Sequence, residues 1–426
     1  MINRPVLSIY LVLFAVLFRF SASGQSTDTL HLSLQDAEQQ LLQRNIPLLV
    51  QRYNIDSAKA GIITARLYDN PQVTFENVLY SHTENRWFDF SYEGQNALQV
   101  EQVIKLAGKR NKGVKLAQSG VKLSEYQFYD LLRTLRFSLR DNFYDLYYKQ
   151  QSLKTYGAQI AFLQKVVKSF EEQQQQGNIA PKEVIRIKSL LYDLQHDQLQ
   201  LQQDIRQTIS DLALLIRVPA TTIIVPELPE MTGKPEVLQL SYQTLLDTAI
   251  ANRYDLKIAK ETVNYNQLNL RLQKAMAIPD LQVGFSYDKQ GNFERNYNGL
   301  NVSMPLPFFN RNQGNIKTAK VLVESSQLQL QGQEDQLSHE VAVSLDAALR
   351  TEKLLEAFDP GFENDYTKMM IEVEKNFRSR NLGLLEFLDL YDAYRSNVLK
   401  MNELKYDRLH ALETINFNTG SQLFHP

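Results

Sequence analysis

Two carboxylates stand out by their spacing. Asp389 and Asp392 lie three residues apart in a helical stretch, so they share one helix face. Brought together in a confined place, such a pair crowds negative charge, favours cations and makes its state depend on partners or protonation. Left in water, it is a solvated acidic helix face. The other chemistry-bearing residues form no catalytic pattern. His31, His82, His196, His339, His410 and His425 show no paired ligand spacing such as H-E-x-x-H, so no metal site is assigned. No Ser/His/Asp set, phosphate-binding glycine loop or further, isolated carboxylate pair stands out to support catalysis. We expect no enzyme and no cofactor.

The elements that hold these residues are written twice. Residues 33–75 and 241–283 run in parallel at a constant offset of 208, with Ser33 matching Ser241, Leu48 matching Leu256 and Pro71 matching Pro279. Residues 98–104 then align with 300–306, and Asn178-Ile179…Glu183-Val184 with Asn381-Leu382…Glu386-Phe387. Each copy reads helix, strand pair, very long helix, turn, helix. Few residues are identical, so element order carries the signal, as in an old duplication.

Composition narrows the address. With 46 basic and 48 acidic side chains the net charge is −2, which gives no electrostatic case for nucleic acid. Mean hydropathy is −0.34, too low for a bundle of membrane helices. The one long apolar run, 6–18, follows Arg4 and precedes Ala22-Ser23-Gly24. It reads as a secretory signal peptide over 1–24, cleaved before Gln25. The chain has no cysteine, hence no disulfide and no site for a lipid anchor. Periplasm, secretion or an outer-membrane β-barrel remain, since barrels hide from hydropathy by alternating apolar and polar residues.

Strands are expected within 71–104 and 279–307. In the first pair Val73, Phe75 and Leu79 oppose Gln72, Thr74 and Glu76. Phe88, Phe90, Tyr92, Leu98 and Val100 then oppose Asp89, Ser91, Glu93, Gln95 and Gln99. In the second pair Leu281, Val283, Phe285 and Tyr287 oppose Gln282, Ser286 and Asp288, and Leu300, Val302, Met304 and Leu306 oppose Asn301 and Ser303. A soluble sheet packed on a core and a lipid-facing barrel both produce such stripes. Length favours the barrel, because each segment has roughly the ten residues of a tilted membrane strand. Aromatics near the loops (Tyr80, Trp87, Phe88; Tyr287, Phe293, Tyr297) would form an interfacial girdle. Four strands cannot close a barrel and lipid-exposed edges are not tolerated, so several chains must contribute.

The helices argue for a tube. From 108 to 176 the apolar residues Phe128, Leu132, Leu135, Leu139, Phe143 and Leu146 recur at spacings of three and four. Roughly 70 residues at 1.5 Å each make a rod of about 100 Å. Gly177 ends it, and 181–216 returns at about half that length. The opening helix, 33–67, is also about half. Copy two repeats this with 241–275, 312–380 and 384–417, its long helix interrupted at Asp359-Pro360-Gly361. The organisation is therefore a first repeat over 25–217 with its hairpin at 108–217, a connector at 218–240, a second repeat over 241–420 with its hairpin at 311–420, and a tail at 421–426. The proline-rich connector reads as an external loop-rich segment or a plain linker.

Several local motifs carry a resemblance: Leu34-(x)2-Ala37…Asn45-x-Pro47 in the opening helix, Gln99-Val-Glu-Gln-Val-Ile-Lys-Leu-Ala-Gly-Lys-Arg110 and Pro305-Leu-Pro-Phe-Phe-Asn-Arg311 at the strand-to-helix junctions, and Gly177-Asn-Ile-Ala-Pro-Lys-Glu183 and Gly383-Leu-Leu-Glu-Phe-Leu-Asp-Leu-Tyr-Asp-Ala393 at the hairpin tips. In this order, twice, they resemble the TolC-type outer-membrane efflux channels, leaning to the CzcC-like heavy-metal branch. The resemblance implies a mainly α fold with a membrane β-barrel: a homotrimer with a twelve-stranded barrel and a helical tube crossing the periplasm. It also implies a periplasmic adaptor (membrane fusion protein), an inner-membrane pump of RND type, contact with outer-membrane lipids and a passive, gated role in efflux. A channel for type I protein secretion and a coiled-coil structural surface protein are the alternatives.

On the same basis, stacked rings of Asp389 and Asp392 would narrow the periplasmic entrance. The position matching Asp389 in copy one is Arg186, which departs from the family pattern and would pair with Asp389 or Glu183 across neighbouring hairpins. The tips Gly177, Asn178, Ile179, Pro181, Asn381, Leu382, Gly383 and Leu384 would contact the adaptor, with both glycines supplying left-handed backbone for the turns. Phe88, Phe90, Tyr92, Leu98, Val100, Val283, Phe285, Tyr287, Val302 and Met304 would face lipid. Lys109-Arg110 opposes the helix dipole, which leaves lipid-phosphate contact or simple solvation as its reason.

Overall fold

The structure, a computed structural model, describes residues 29–424 except 83, 229–235, 292–293, 358–361 and 380, with side chains also omitted at 236, 362–367 and 378. The expected signal peptide, Phe293, the Asp359-Pro360-Gly361 interruption, Arg380 and His425 lie outside the described residues. The elements run β1 (Thr29–Ser33), α1 (Leu34–Arg44), α2 (Ile46–Arg66), β2 (Gln72–Asn77), β3 (Tyr80–Ser81), β4 (Arg86–Trp87), β5 (Asn96–Ile104), α3 (Lys109–Gln175), α4 (Pro181–Ile216) and β6 (Ile223–Glu227). After a 3-10 turn at Glu236–Gln239 come α5 (Tyr242–Asn252), α6 (Tyr254–Met276), β7 (Leu281–Asp288), β8 (Tyr297–Ser303), α7 (Gln313–Ala357), α8 (Phe362–Arg378) and α9 (Leu384–Thr419). No helix of the described residues is long and apolar enough to cross a membrane. The chain divides into two compact units, each drawing on both repeats.

One unit comprises 1–45, 139–231 and 361–406. Its parallel β1–β6 pair runs from Thr29↔Ile223 to Ser33↔Glu227, which gives the stretch 223–227 of the proline-rich connector a fold. Leu32 and Ile224 are buried there, and Gln150 Nε2 on α3 donates to the Ile224 carbonyl at 2.9 Å. Ser33 caps α1 by accepting from the Asp36 amide, and Arg140 binds Glu38 at 2.6 Å. The core of this unit is a strip of α3 (Leu163, Val166), α4 (Ile187, Leu191, Leu194), α8 (Met370, Phe377) and α9 (Phe387, Tyr391).

The other unit comprises 46–138, 232–360 and 407–426. It holds an antiparallel sheet of order β2-β5-β7-β8, with neither β2 nor β8 paired on its outer side among the described residues. The register places Val73, Val100, Phe285 and Leu300 in one row, with Phe75, Leu98 and Tyr287 in a second and Val283 and Val302 in a third. That face stays exposed at Val73, Phe75, Leu98, Val100, Phe285, Leu300 and Val302. The opposite face carries Gln72, Thr74, Glu76, Gln99, Glu101, Gln282, Ser286, Asn301 and Ser303. Apolar out and polar in is the arrangement of a lipid-facing sheet, not of one packed on a core. A plain coiled-coil protein has no such sheet.

The strand expected over 88–100 begins only at Asn96. Phe88 has φ 49, Asp89 Oδ1 accepts the Ser91 amide at 2.9 Å, and Gly94 lies against the Asp89 carbonyl where no Cβ would fit. Turn chemistry overrides the alternation there, so Phe88, Phe90 and Tyr92 are exposed loop residues. Phe90 still stacks on Phe75 at 6.4 Å, which extends the apolar face beyond the strand. Met304 lies one residue past β8. Tyr80 and Trp87 form their own aromatic pair at 5.1 Å.

Neither opening helix is continuous. Both break after eleven residues, at Asn45 and at Arg253. Pro47 in the first turn of α2 explains the first break, since proline has no amide for the carbonyl four residues back and is tolerated only where a helix starts afresh. The second has no proline. Its cause is the buried Arg253 side chain, which binds both Asp255 and, at 2.5 Å, Glu340 and also donates to the Asn418 carbonyl at 3.3 Å. Arg133 reaches Asp255 at 3.6 Å and lies 4.0 Å over the Phe417 ring. Burial alone would raise the Asp255 carboxyl, but the hydrogen bond and charge of Arg253, the Arg133 charge and the Leu256 amide hold it below its ordinary value. The tail is fixed as well: Asn416 Oδ1 accepts the amides of Leu423 and Phe424 at 2.8 and 3.0 Å.

Lys109 is neither solvated nor free to meet lipid phosphate. It is buried at 2.7 Å from Asp280, whose other bond is to the Leu106 amide at 2.9 Å. Arg110 lies 4.4 Å over the Tyr68 ring and donates to the Arg66 carbonyl at 2.7 Å. The positive charge at this helix start is therefore balanced by a carboxylate brought in from 171 residues away.

Candidate gate at the helical hairpin tips

The tips form because each helix pair is closed by local chemistry. At the end of α3 the Asn178 amide donates to the Gln173 carbonyl and the Gly177 amide to the Gln174 carbonyl, both at 2.9 Å. Gly177 has φ 77, so the turn needs a left-handed residue and glycine supplies it. Pro181 then opens α4, where a missing amide costs nothing. In copy two the Asn381 amide donates to the Asn376 carbonyl at 2.9 Å, the same bond 203 residues later. Gly383 corrects the sequence reading. It is not among the positive-φ residues; it precedes α9, and its carbonyl accepts the Phe387 amide at 3.0 Å. Its counterpart is Ala180, not Gly177.

Aromatic stacking builds the core behind the tips. Phe377 and Phe387 lie 4.0 Å apart at 15°, Phe170 stacks on Phe377 at 5.7 Å, and Phe162 lies 5.9 Å from both Phe387 and Tyr391. The Tyr391 hydroxyl donates to the Gln159 carbonyl at 3.1 Å. Burial pushes the Tyr391 phenol well above its ordinary value, so it stays neutral. Beyond this core opens a cleft of about 510 Å³. Phe170, Ile179, Phe377 and Leu382 line it, and Lys165 and Glu183 give it one charge of each sign. Ile179, Leu382 and Leu384 therefore turn into this cleft, exposed Asn178 lies on its rim, and Gly177, Pro181, Asn381 and Gly383 are exposed away from it.

Asp389 and Asp392 are both exposed on α9. Asp392 meets Arg395 Nη2 at 2.5 Å, and Arg395 Nη1 lies 3.9 Å from Asp197 on α4. Asp389 makes no ion pair with a described residue, and neither does Arg186, which is exposed on α4; the chain by itself does not join them. Glu183 points to the cleft instead. Lys188 is bonded to Glu171 at 2.5 Å across the α3–α4 hairpin, and that bond raises its pKa. The sequence reading missed Arg395, although its i+3 spacing from Asp392 was the available signal.

No group of three or more His, Cys, Asp or Glu among the described residues could hold a metal. What the arrangement offers is a pair of exposed carboxylates on one helix and, in the other unit, a sheet that is amphipathic across its faces and open at both edges. A protein so built is an outer-membrane channel subunit: the sheet is one chain's share of a membrane β-barrel, and the long helices are its share of an α-barrel tube. The family model for outer membrane efflux proteins matches residues 37–216 and 245–376, and the chain belongs to that family. It is 21% identical over 360 residues to the cobalt-zinc-cadmium resistance protein CzcC of Cupriavidus metallidurans, covering 83% of this chain and 80% of CzcC. The fold is similar to that of a membrane protein from Pseudomonas aeruginosa (TM-score 0.72, 17% identity, 91% and 93% of the two chains covered). It is also similar to the outer membrane protein VceC of Vibrio cholerae (TM-score 0.70, 17% identity, 91% and 96% covered). The protein is thus an efflux duct of the outer membrane that extends into the periplasm.

Proposed function

We propose that three copies of this chain form the exit duct of a tripartite exporter that removes divalent metal ions, driven by an inner-membrane pump of the RND type through a periplasmic adaptor. One observation carries the assembly. The sheet has two unpaired edges, β2 and β8, and these run antiparallel to each other, so β8 of one copy can pair with β2 of the next without changing the pattern. Closure removes the edges a bilayer does not tolerate, and three copies give twelve strands. The metal cargo rests on the likeness to CzcC.

Within this reading Asp389 and Asp392 narrow the periplasmic opening as carboxylate rings, and Arg186 meets Asp389 of a neighbouring copy. The exposed tips Gly177, Asn178, Pro181, Asn381 and Gly383 receive the adaptor. A susceptibility panel on a strain lacking the gene tests the cargo, using zinc, cobalt, cadmium, copper, dyes, detergents and antibiotics. The strain is complemented by wild type and by Asp389→Ala/Asp392→Ala. Sensitivity confined to divalent metals is the expected result. Sensitivity to organic compounds moves the duct to drug efflux, and no sensitivity at all overturns the metal reading. Unchanged conductance and cation selectivity in the double variant sinks the gate.

A further inference from the structure

The four strands of the sheet carry three charged side chains, Glu76, Glu101 and Asp288, and no basic one. All three lie on the polar face. Glu76 and Asp288 sit at the loop ends of their strands. Glu101 alone lies within the sheet, near the end of β5 that leads into α3.

The surroundings of Glu101 are built to hold it over the sheet. Its partner across β7 is Gly284, and across β2 it is Gln72. A Cβ at Gly284 would lie 2.9 Å from the Glu101 Cγ and 3.3 Å from the Val100 carbonyl, so only glycine leaves the carboxylate arm room to lie flat. Gln99 Nε2 donates to one carboxylate oxygen and Gln282 Nε2 to the other, from the same strand and from the neighbouring one. Both donors are neutral. The carboxylate is thus oriented without its charge being cancelled, which distinguishes it from Lys109–Asp280 at the same end of the sheet.

We propose that Glu101 is a specificity-determining residue of the duct, forming a fixed ring of negative charge inside the barrel that favours cations in transit. This rests on the assembly proposed above. Three copies place three Glu101 carboxylates around one lumen, close to the helical tube, in a low-dielectric wall that focuses their field. Rings of charged side chains set ion preference in this way. Glu101 is distinct from the tip carboxylates in element, in position along the chain and in having neutral hydrogen-bond donors.

Planar-bilayer recording on the purified, detergent-solubilised oligomer tests this. Reversal potentials are measured in a potassium chloride gradient for wild type, Glu101→Gln and Glu101→Lys. Each is repeated in an Asp389→Asn/Asp392→Asn background so that the tip does not dominate the reading. The expected result is a potassium-over-chloride preference that falls by at least about twofold in Glu101→Gln and moves toward chloride in Glu101→Lys, in both backgrounds. Unit conductance should change far less in Glu101→Gln, which keeps size and hydrogen bonding. Conducting channels whose selectivity is the same in all three forms overturn the role of Glu101 and leave the assembly standing. An oligomer that conducts no current in any form overturns the duct assembly and the role of Glu101 with it.

Discussion

Asn45 and Arg253 occupy the same place in the two repeats, 208 residues apart, with nearly the same backbone: φ −65, ψ 119 and φ −63, ψ 124. Each donates its amide to the carbonyl four residues back, Leu41 or Ala249. Each side chain is buried, at 3% and 2% exposure. The break in the opening helix is thus inherited by both copies, while the means of holding it has diverged. Asn45 Nδ2 donates to the Leu215 carbonyl at 3.1 Å, whereas Arg253 joins an ion-pair network.

That divergence sets unequal costs. Arg253→Met leaves Asp255 and Glu340 without their buried cation and should lower stability by about 3–5 kcal/mol. Asn45→Ala, which removes neutral hydrogen bonds, should cost about 1–3 kcal/mol. Denaturant unfolding of the two variants side by side checks the order; a smaller loss for Arg253→Met contradicts the network.

The same network gives acid sensitivity. The Asp255 carboxyl titrates below its ordinary 3.8 in the folded chain, so its contribution is fully present above that value and is lost as pH falls through the depressed one. Thermal unfolding between pH 7 and pH 2 should show Asp255→Asn less stable at neutral pH and with a shallower acid limb. Equal slopes for variant and wild type would remove Asp255 from the acid response.

At the sheet-to-helix junction, Lys109→Met strands Asp280 and should cost more than Lys109→Met/Asp280→Leu, which removes both charges. The coupling between the two sites should be about 0.5–3 kcal/mol. A double-mutant cycle read by unfolding gives it directly, and strict additivity would show that the 2.7 Å contact contributes nothing.

Behind the tips, Phe387→Ala removes the ring at the centre of the stack and should cost about 3–5 kcal/mol. The loss should be local. Hydrogen exchange should accelerate in α8 and the first turns of α9 while the amides of the β2-β5-β7-β8 sheet keep their protection. Uniform acceleration would mean that the chain unfolds as one piece.

Much of this architecture is legible in the sequence where periodicity and punctuation agree. Gly177 and Pro181 place the α3–α4 turn, and the alternation around Leu98, Val100, Val283 and Phe285 places the sheet faces. Legibility fails where a distant residue decides. Nothing local marks Arg253-Tyr254 as a break, because its cause lies at Glu340 and Asn418. Lys109 reads as an anomaly until Asp280 arrives beside it. Phe88, Phe90 and Tyr92 mimic a strand because alternation is blind to the turn made by Asp89, Ser91 and Gly94. Pro226 argued for a loop, yet it sits in β6 opposite Leu32. On α9 the shared helix face of Asp389 and Asp392 is readable, but the pairing of Asp392 with Arg395 is a side-chain choice that spacing alone permits and does not require.

The pairing of Thr29 with Ile223 has a consequence in time. Strand β1 must wait, unpaired, until nearly two hundred further residues have followed it out of the exporting machinery, and β5 waits about as long for β7. Non-local pairings of this kind slow folding and leave strand edges open meanwhile. Newly exported chains of this protein should therefore depend on escort across the periplasm, long before any cargo uses the finished duct.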